Sequence, residues 1–194
     1  MGKSAKRARP AEASASKTSK GGVYELEVSL LEGPITDEFA DANPEVSRTI
    51  EIRGNQTLAD LHEAIFDAFG RFDAHMYEFQ IGGEETNDPK AKRYVLSVAE
   101  EPIGGPQLAG LVEQTTIDQL GLKVDDVFGY WFDFGDDWWH QINVAGIGEP
   151  QKGARYPRVT KEVGENPPQY PQLDEDDEEY DEEDEDENDD DKQA

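Results

Sequence analysis

VFGYWFDFGDDWWHQINV, residues 127–144, is the stretch on which the fold turns. Phe128, Tyr130, Phe132 and Phe134 alternate with Gly129, Trp131 and Asp133, and Trp138, His140, Ile142 and Val144 alternate with Trp139, Gln141 and Asn143. A period of two marks strands with one buried face. Gly135, Asp136 and Asp137 lie between them as turn residues. A three-residue loop sets Phe134 opposite Trp138, Phe132 opposite His140, Tyr130 opposite Ile142 and Phe128 opposite Val144. A two-residue loop would turn one apolar set to the wrong face. On this reading Asp133 joins Trp131, Trp139 and Gln141 on the other face.

Working outward, VYELEVSL (23–30) alternates Tyr24, Leu26, Val28 and Leu30 with Glu25, Glu27 and Ser29, a half-buried strand. GPITDEFADANPE reads as a loop by its Gly, Pro and Asn content. VSRTIEIRG (46–54) reads as a second strand, with Val46, Ile50 and Ile52 on one side. Thr57, with Asp60 three residues on, opens a helix carrying Leu58, Leu61, Ile65 and Phe69 on one face, and Gly70 closes it. His62 projects from the edge of that face. HMYEFQI (75–81) is a further strand, RYVLSV a short one, and TTIDQLGL (115–122) a single helical turn ended by Gly121. EEPIGGPQLAG reads as loop, and the chain beyond Val144 turns loop-like. Its prolines at 150, 157, 167, 168 and 171 argue against further central strands.

Charge divides the chain. Residues 1–20 carry six Lys/Arg against one Glu, and residues 173–194 carry sixteen Asp/Glu against one Lys. All three Trp, all three His and all eight Phe fall between them. The expected organisation is a disordered basic tail (1–21), one domain (22–172) and a disordered acidic tail (173–194). The absence of cysteine excludes disulfides and Cys-based metal or redox chemistry. No run approaches the roughly 18 apolar residues of a membrane span, and the N-terminus lacks the apolar core of a signal peptide. A cytoplasmic protein is expected.

The ordered landmarks carry a resemblance. They are Tyr24-x-Leu26-x-Val28, the helix start from Thr57 to Ile65, the series from Phe69-Gly70 to His75-x-Tyr77-x-Phe79, Leu120-Gly121-Leu122, Asp133 to His140, and Arg155-Tyr156-Pro157-Arg158. Together they resemble the plasmid pRi open-reading-frame-three-like family, over roughly 23–170. The resemblance implies a bacterial, mobile-element-associated protein with a domain of unknown function. The chain departs from the family pattern at Arg71, where many relatives carry Trp. It departs again at Glu165 to Gln169, where they carry a Cys-Pro-Pro-Glu-Asp-like segment. A resolvase-like activity, sometimes attached to such proteins, needs a nucleophilic serine beside catalytic arginines, and this domain offers no such cluster.

Two readings of the polar residues follow. In the first, His62, His75 and His140 are half-buried residues bonded to nearby groups, and Asp133, Asp136 and Asp137 are turn residues. The protein is then a non-enzymatic interaction module without a cofactor. Asp133, Asp136, Asp137, Arg155 and Arg158 are its candidate binding residues. Its partner is an unidentified protein, a basic one suiting the acidic surface. Nucleic acid is disfavoured for the acidic domain, leaving only weak contact through the basic N-terminal arm. In the alternative, the three histidines converge with Asp133 on a divalent metal such as Zn or Mn, and the protein is a metal-dependent hydrolase. The Asp133-Phe134-Gly135 string has no Gly-rich loop or His-Arg-Asp partner to make it a kinase motif. The expected fold is α+β: a mainly antiparallel sheet with one principal helix packed on it, in a roll or β-grasp-like arrangement.

Overall fold

The computed structural model describes residues 21–83, 88–97 and 108–171. The two expected tails, apart from Gly21 at the end of the basic one, lie outside these residues. In chain order the elements are β1 (Val23–Glu32), α1 (Asp37–Ala42), β2 (Ser47–Arg53), α2 (Leu58–Ala68), β3 (Tyr77–Ile81) and β4 (Lys92–Val95). There follow β5 (Leu108–Leu111), α3 (Ile117–Leu120), β6 (Val127–Phe132), β7 (Trp138–Gly148) and β8 (Arg158–Val163). All eight strands join one sheet in the order β5-β4-β3-β6-β7-β1-β2-β8. Every pairing is antiparallel except the parallel β4–β5 pair.

The α+β expectation of a sheet dominated by one helix is therefore corrected. The protein is mostly an eight-stranded mixed sheet, with helices of 6, 11 and 4 residues. Geometry shows why one helix does not define it. An 11-residue helix is roughly 16 Å long, whereas eight strands span roughly 34 Å. Three elements escape the sequence pattern. α1 forms inside the expected 33–45 loop because Thr36 accepts a hydrogen bond from the Phe39 N–H and caps it. β5, with the sequence LAGL, has no alternation to detect. β8 is an edge strand whose residues are mostly exposed, so no buried face shows in its sequence.

The central hairpin keeps the expected faces but not the expected register. Phe132 pairs with Trp138, Tyr130 with His140 and Phe128 with Ile142. This two-residue slip preserves the in-or-out assignment of the residues that still pair, and it lengthens the turn to residues 133–137, taking Asp133 and Phe134 out of the strands. Asp133 and Asp137 adopt φ of 56° and 53°, the left-handed region that Asp tolerates better than most residues. Alternation cannot reveal that. Phe134, expected in the core, is 37% exposed and packs 4.3 Å from the Trp131 ring.

The core lies between one face of the sheet and α2. Leu58, Leu61, Ile65 and Phe69 meet Leu26 and Val28 of β1, Ile50 and Ile52 of β2, Phe79 of β3 and the buried faces of β6 and β7. The capping box is formed: the Thr57 hydroxyl accepts from the Asp60 N–H at 3.1 Å, and the Asp60 carboxylate accepts from the Thr57 N–H at 2.7 Å. Gly70 follows with φ 64°, ending the helix. Thr57→Ala is expected to lower stability by about 1 kcal/mol. A urea midpoint that does not move would show the cap to be redundant.

At Gly33 the backbone passes so close to Trp138 that any Cβ would lie 2.2 Å from the ring carbon Cε3. Trp138 itself is fully buried. A second fixed point is Arg48, buried on β2. Its Nη1 donates to the carbonyls of Ser47 and Val163, both at 2.6 Å, its Nε donates to Ala68 O at 3.1 Å, and its Nη2 donates to Gly164 O and Asn166 Oδ1. One guanidinium thus ties β2, the end of α2 and the segment after β8 together. That segment, residues 164–171, crosses back toward the β6–β7 turn as a strap.

Candidate functional site

The turn at 133–137 and the strap meet beside the loop that follows α2. Asp133, 5% exposed, is fixed by its own backbone. Its N–H donates to Met76 O at 2.9 Å, its carbonyl accepts from the N–H groups of Asp136 and Asp137, and its Oδ1 accepts from the Gly135 N–H at 3.2 Å. Asp133 does not face Trp131, Trp139 and Gln141 as the tighter hairpin required. Its Oδ2 instead lies 3.4 Å from His75 Nε2. That same nitrogen shares a 2.8 Å hydrogen bond with the Tyr170 hydroxyl and lies 3.6 Å from Asp73 Oδ2. Tyr170 also donates to Asp73 at 2.9 Å. Desolvation first, then the Asp73 bond and the field of Asp73, Asp133 and Asp136, push the Tyr170 hydroxyl up to about 12.

Gln169 locks the strap to this loop. Its Oε1 accepts from the N–H groups of Phe72 and Asp73 at 3.0 and 3.1 Å, and its Nε2 donates to Asp73 O at 2.8 Å. Asp137 is exposed and accepts the Trp131 indole N–H at 3.0 Å, while Asp136 is half-buried. Around the carboxylates three aromatic rings reach solvent: Phe72 at 73%, Tyr170 at 46% and Phe134 at 37% exposed. Asp73, Phe72, Gln169 and Tyr170 were not visible as site residues in the sequence. They come together only because the strap folds back over a loop about a hundred positions earlier.

The other histidines lie inside. His62 stacks on Tyr77 with centroids 3.6 Å apart, and its Nδ1 shares a 2.7 Å hydrogen bond with the Tyr130 hydroxyl. His140 lies edge-on to Phe69, with centroids 4.8 Å apart. Burial pushes His62 down to about 4. Burial, aided by the charge of Arg71, pushes His140 down to about 3. The backbone near Trp138 and Tyr130 opposes this slightly, without completing a hydrogen bond to either ring nitrogen. Both rings are neutral at pH 7. His62 and His75 each lie about 6 Å from the Phe132 ring, at 6.2 and 6.0 Å between centroids, and take different hydrogen-bond partners, Tyr130 and Tyr170. Among the described residues no group of three His, Asp or Glu side chains is placed to hold a metal ion.

Arg158 stands apart from the turn. It pairs with Glu51 on β2 at 2.7 Å and with Gln151 at 2.9 Å, in the part of the sheet formed by β2 and β8. Arg155 is exposed. Neither cation joins Asp133 or Asp136. No helix among the described residues is long and apolar enough to cross a membrane.

Fold and site together define a mixed-sheet domain with an acidic, aromatic-studded corner. The chain matches the family model of the plasmid pRiA4b ORF-3-like proteins over residues 35–189. It belongs to that family. A similar curated relative is an uncharacterized protein, y4hQ, of Sinorhizobium fredii (strain NBRC 101917 / NGR234). The two are 27% identical over 126 residues, covering 65% of this chain and 59% of the relative. This chain therefore spans less than two thirds of that protein's length. A similar solved structure is the protein of unknown function MM3350 from Methanosarcina mazei Go1. It shares 26% identity at a TM-score of 0.57, over 75% of this chain and 72% of the other.

Proposed function

We propose that this protein is a non-enzymatic interaction module of the cytoplasm, and that the corner around the β6–β7 turn takes a basic segment of a partner protein. One observation carries the reading. Phe72, Phe134 and Tyr170 stand exposed among the carboxylates of Asp73, Asp133 and Asp136. A carboxylate cluster alone would only be hydrated. Aromatic faces beside it add cation–π attraction and an apolar seat for the stems of Lys and Arg. The strap ends at Pro171, next to Tyr170, and the sixteen acids of residues 173–194 begin just beyond it. The same charge sign disfavours nucleic acid. The binding reaction needs no resident cofactor.

A synthetic Lys/Arg-rich peptide of about a dozen residues is a suitable probe, titrated calorimetrically into the full chain at low and high salt. Micromolar binding that weakens with salt is expected. Asp136→Asn and Phe72→Ser, at a half-buried and an exposed position, are each expected to weaken it several-fold while the thermal midpoint holds. Peptide affinity equal in both variants and the native chain would place binding elsewhere, and the reading would fall.

A further inference from the structure

Behind the strap lies a set of buried polar atoms that the interaction surface does not use. Arg71, 6% exposed, lies over the Trp138 indole, its Cζ 3.5 Å from the ring centroid. Its Nη1 donates weakly to Pro167 O at 3.5 Å. Arg71 Nε and Nη2, Trp138 Nε1 and both ring nitrogens of His140 are buried with no hydrogen-bond partner among the described residues. Trp138 is 0% exposed and His140 2%. Burying a donor without a partner costs about 1–3 kcal/mol, and more when it is charged, so several on three neighbouring side chains call for an explanation.

The chemistry of the set is one-sided. Nε–H and Nη2–H of an arginine lie along one edge of the guanidinium, the edge that pairs with both oxygens of a carboxylate. The indole N–H is a donor only. A neutral imidazole contributes one donor and one acceptor. Donors therefore outnumber acceptors, and the guanidinium adds a full positive charge. Asp133 acts on Arg71 through its field without a direct contact at that edge. Water would satisfy the donors but leave the charge only the field of Asp133 to balance it. A carboxylate satisfies both.

We propose that Arg71, Trp138 and His140 form an internal binding site for a small free carboxylate. The acid would lie bidentate on the Nε/Nη2 edge of Arg71, with the Trp138 and His140 N–H groups as further donors. Access runs along the strap. Pro167, which receives Arg71 Nη1, is also a wall of a neighbouring cavity of about 400 Å3 between α1 and the strap, whose lining includes Phe39, Pro168, Glu38 and Glu165 but none of the three proposed ligand residues. Opening the strap admits the acid, and the Gln169 and Tyr170 bonds close it again. This site shares the strap with the basic-peptide surface through Gln169 and Tyr170, but its ligand residues are different and its test is separate.

The test uses the full chain, with sodium formate and sodium acetate as probes and sodium chloride at matched ionic strength as control. The thermal midpoint is expected to rise saturably with formate or acetate and not with chloride. Carbon-13-labelled formate is expected to show saturation transfer from the protein. Arg71→Gln should abolish both signals. Trp138→Phe keeps a ring under the guanidinium while removing one donor, and it should weaken apparent affinity by roughly tenfold. This second variant guards against Arg71→Gln failing to fold. A midpoint that follows ionic strength alone, or a formate response unchanged in Trp138→Phe, overturns the proposal. Displacement of labelled formate by a synthetic 173–194 peptide would assign the site to the chain's own acidic run and overturn the free-acid reading.

Discussion

Trp138→Ala is expected to lower the stability of the domain by about 4 kcal/mol, the largest effect of any single substitution considered. Three losses combine. The indole is fully buried at the start of β7, so its removal leaves a cavity the size of two fused rings. The backbone at Gly33 sits against the ring edge and cannot follow it inward without dragging β1 and the approach to α1. The Arg71 guanidinium loses the face on which it lies and is left buried over a void. A domain of this size has about 5–15 kcal/mol in total, so the variant should unfold at markedly lower urea and populate partly unfolded protein at 37 °C. Trp138→Phe, which keeps one ring, should cost less than half as much. Equal losses in the two variants would mean that the ring packing against Gly33 is not what holds this corner.

Acid should destabilise the protein through its two buried histidines. In the folded chain His62 is lowered to about 4 and His140 to about 3, against an ordinary value of 6.5. Between those limits the unfolded chain binds protons that the folded chain refuses. Stability is thus complete above about pH 6.5 and falls as the pH drops from there toward the folded values. By pH 5 each histidine should have cost about 2 kcal/mol, roughly 4 kcal/mol together if they act independently. Urea unfolding at pH 7.5 and pH 5.0 measures the difference directly. His140→Gln and His62→Gln should each remove about half of the pH dependence, whatever they do to stability at neutral pH. A pH dependence that survives both substitutions unchanged would trace the acid sensitivity to carboxylates instead.

How much of this was legible in the sequence depends on what each residue answers to. Alternation reports which face a side chain takes. Phe128, Tyr130, Phe132, Trp138, His140 and Ile142 accordingly lie where their spacing puts them. Register answers to backbone dihedrals at the turn, and two left-handed aspartates moved it by two residues. β8 carries Arg158, Thr160, Lys161 and Glu162 because an edge strand need bury no face, so periodicity is silent about it. The capping box and Gly70 were readable because a cap is local. The site was half readable. Asp133 and His75 stood out as residue types, but Gln169, Tyr170 and Arg71 gain meaning only from the strap that Arg48 and Gln169 pin across the molecule. Arg158 stood out by its type as a candidate binding residue, but its partner Glu51, on β2 away from the turn, is set by strand pairing that spacing does not show.

The strand order has a consequence for biogenesis. β1 is made first, yet one of its two neighbours is β7, with Val23 aligned to Gly148. Until that late segment leaves the ribosome, the growing chain holds two separate fragments of sheet. One is β1 with β2, and the other is β3 with its neighbours. Each presents an open, hydrogen-bond-hungry margin. Joining them means closing a loop that contains nearly all of the domain, the kind of non-local pairing that makes folding slow and nascent chains prone to stick to one another. The joining of β1 to β7 is therefore expected to come late in the folding of this domain.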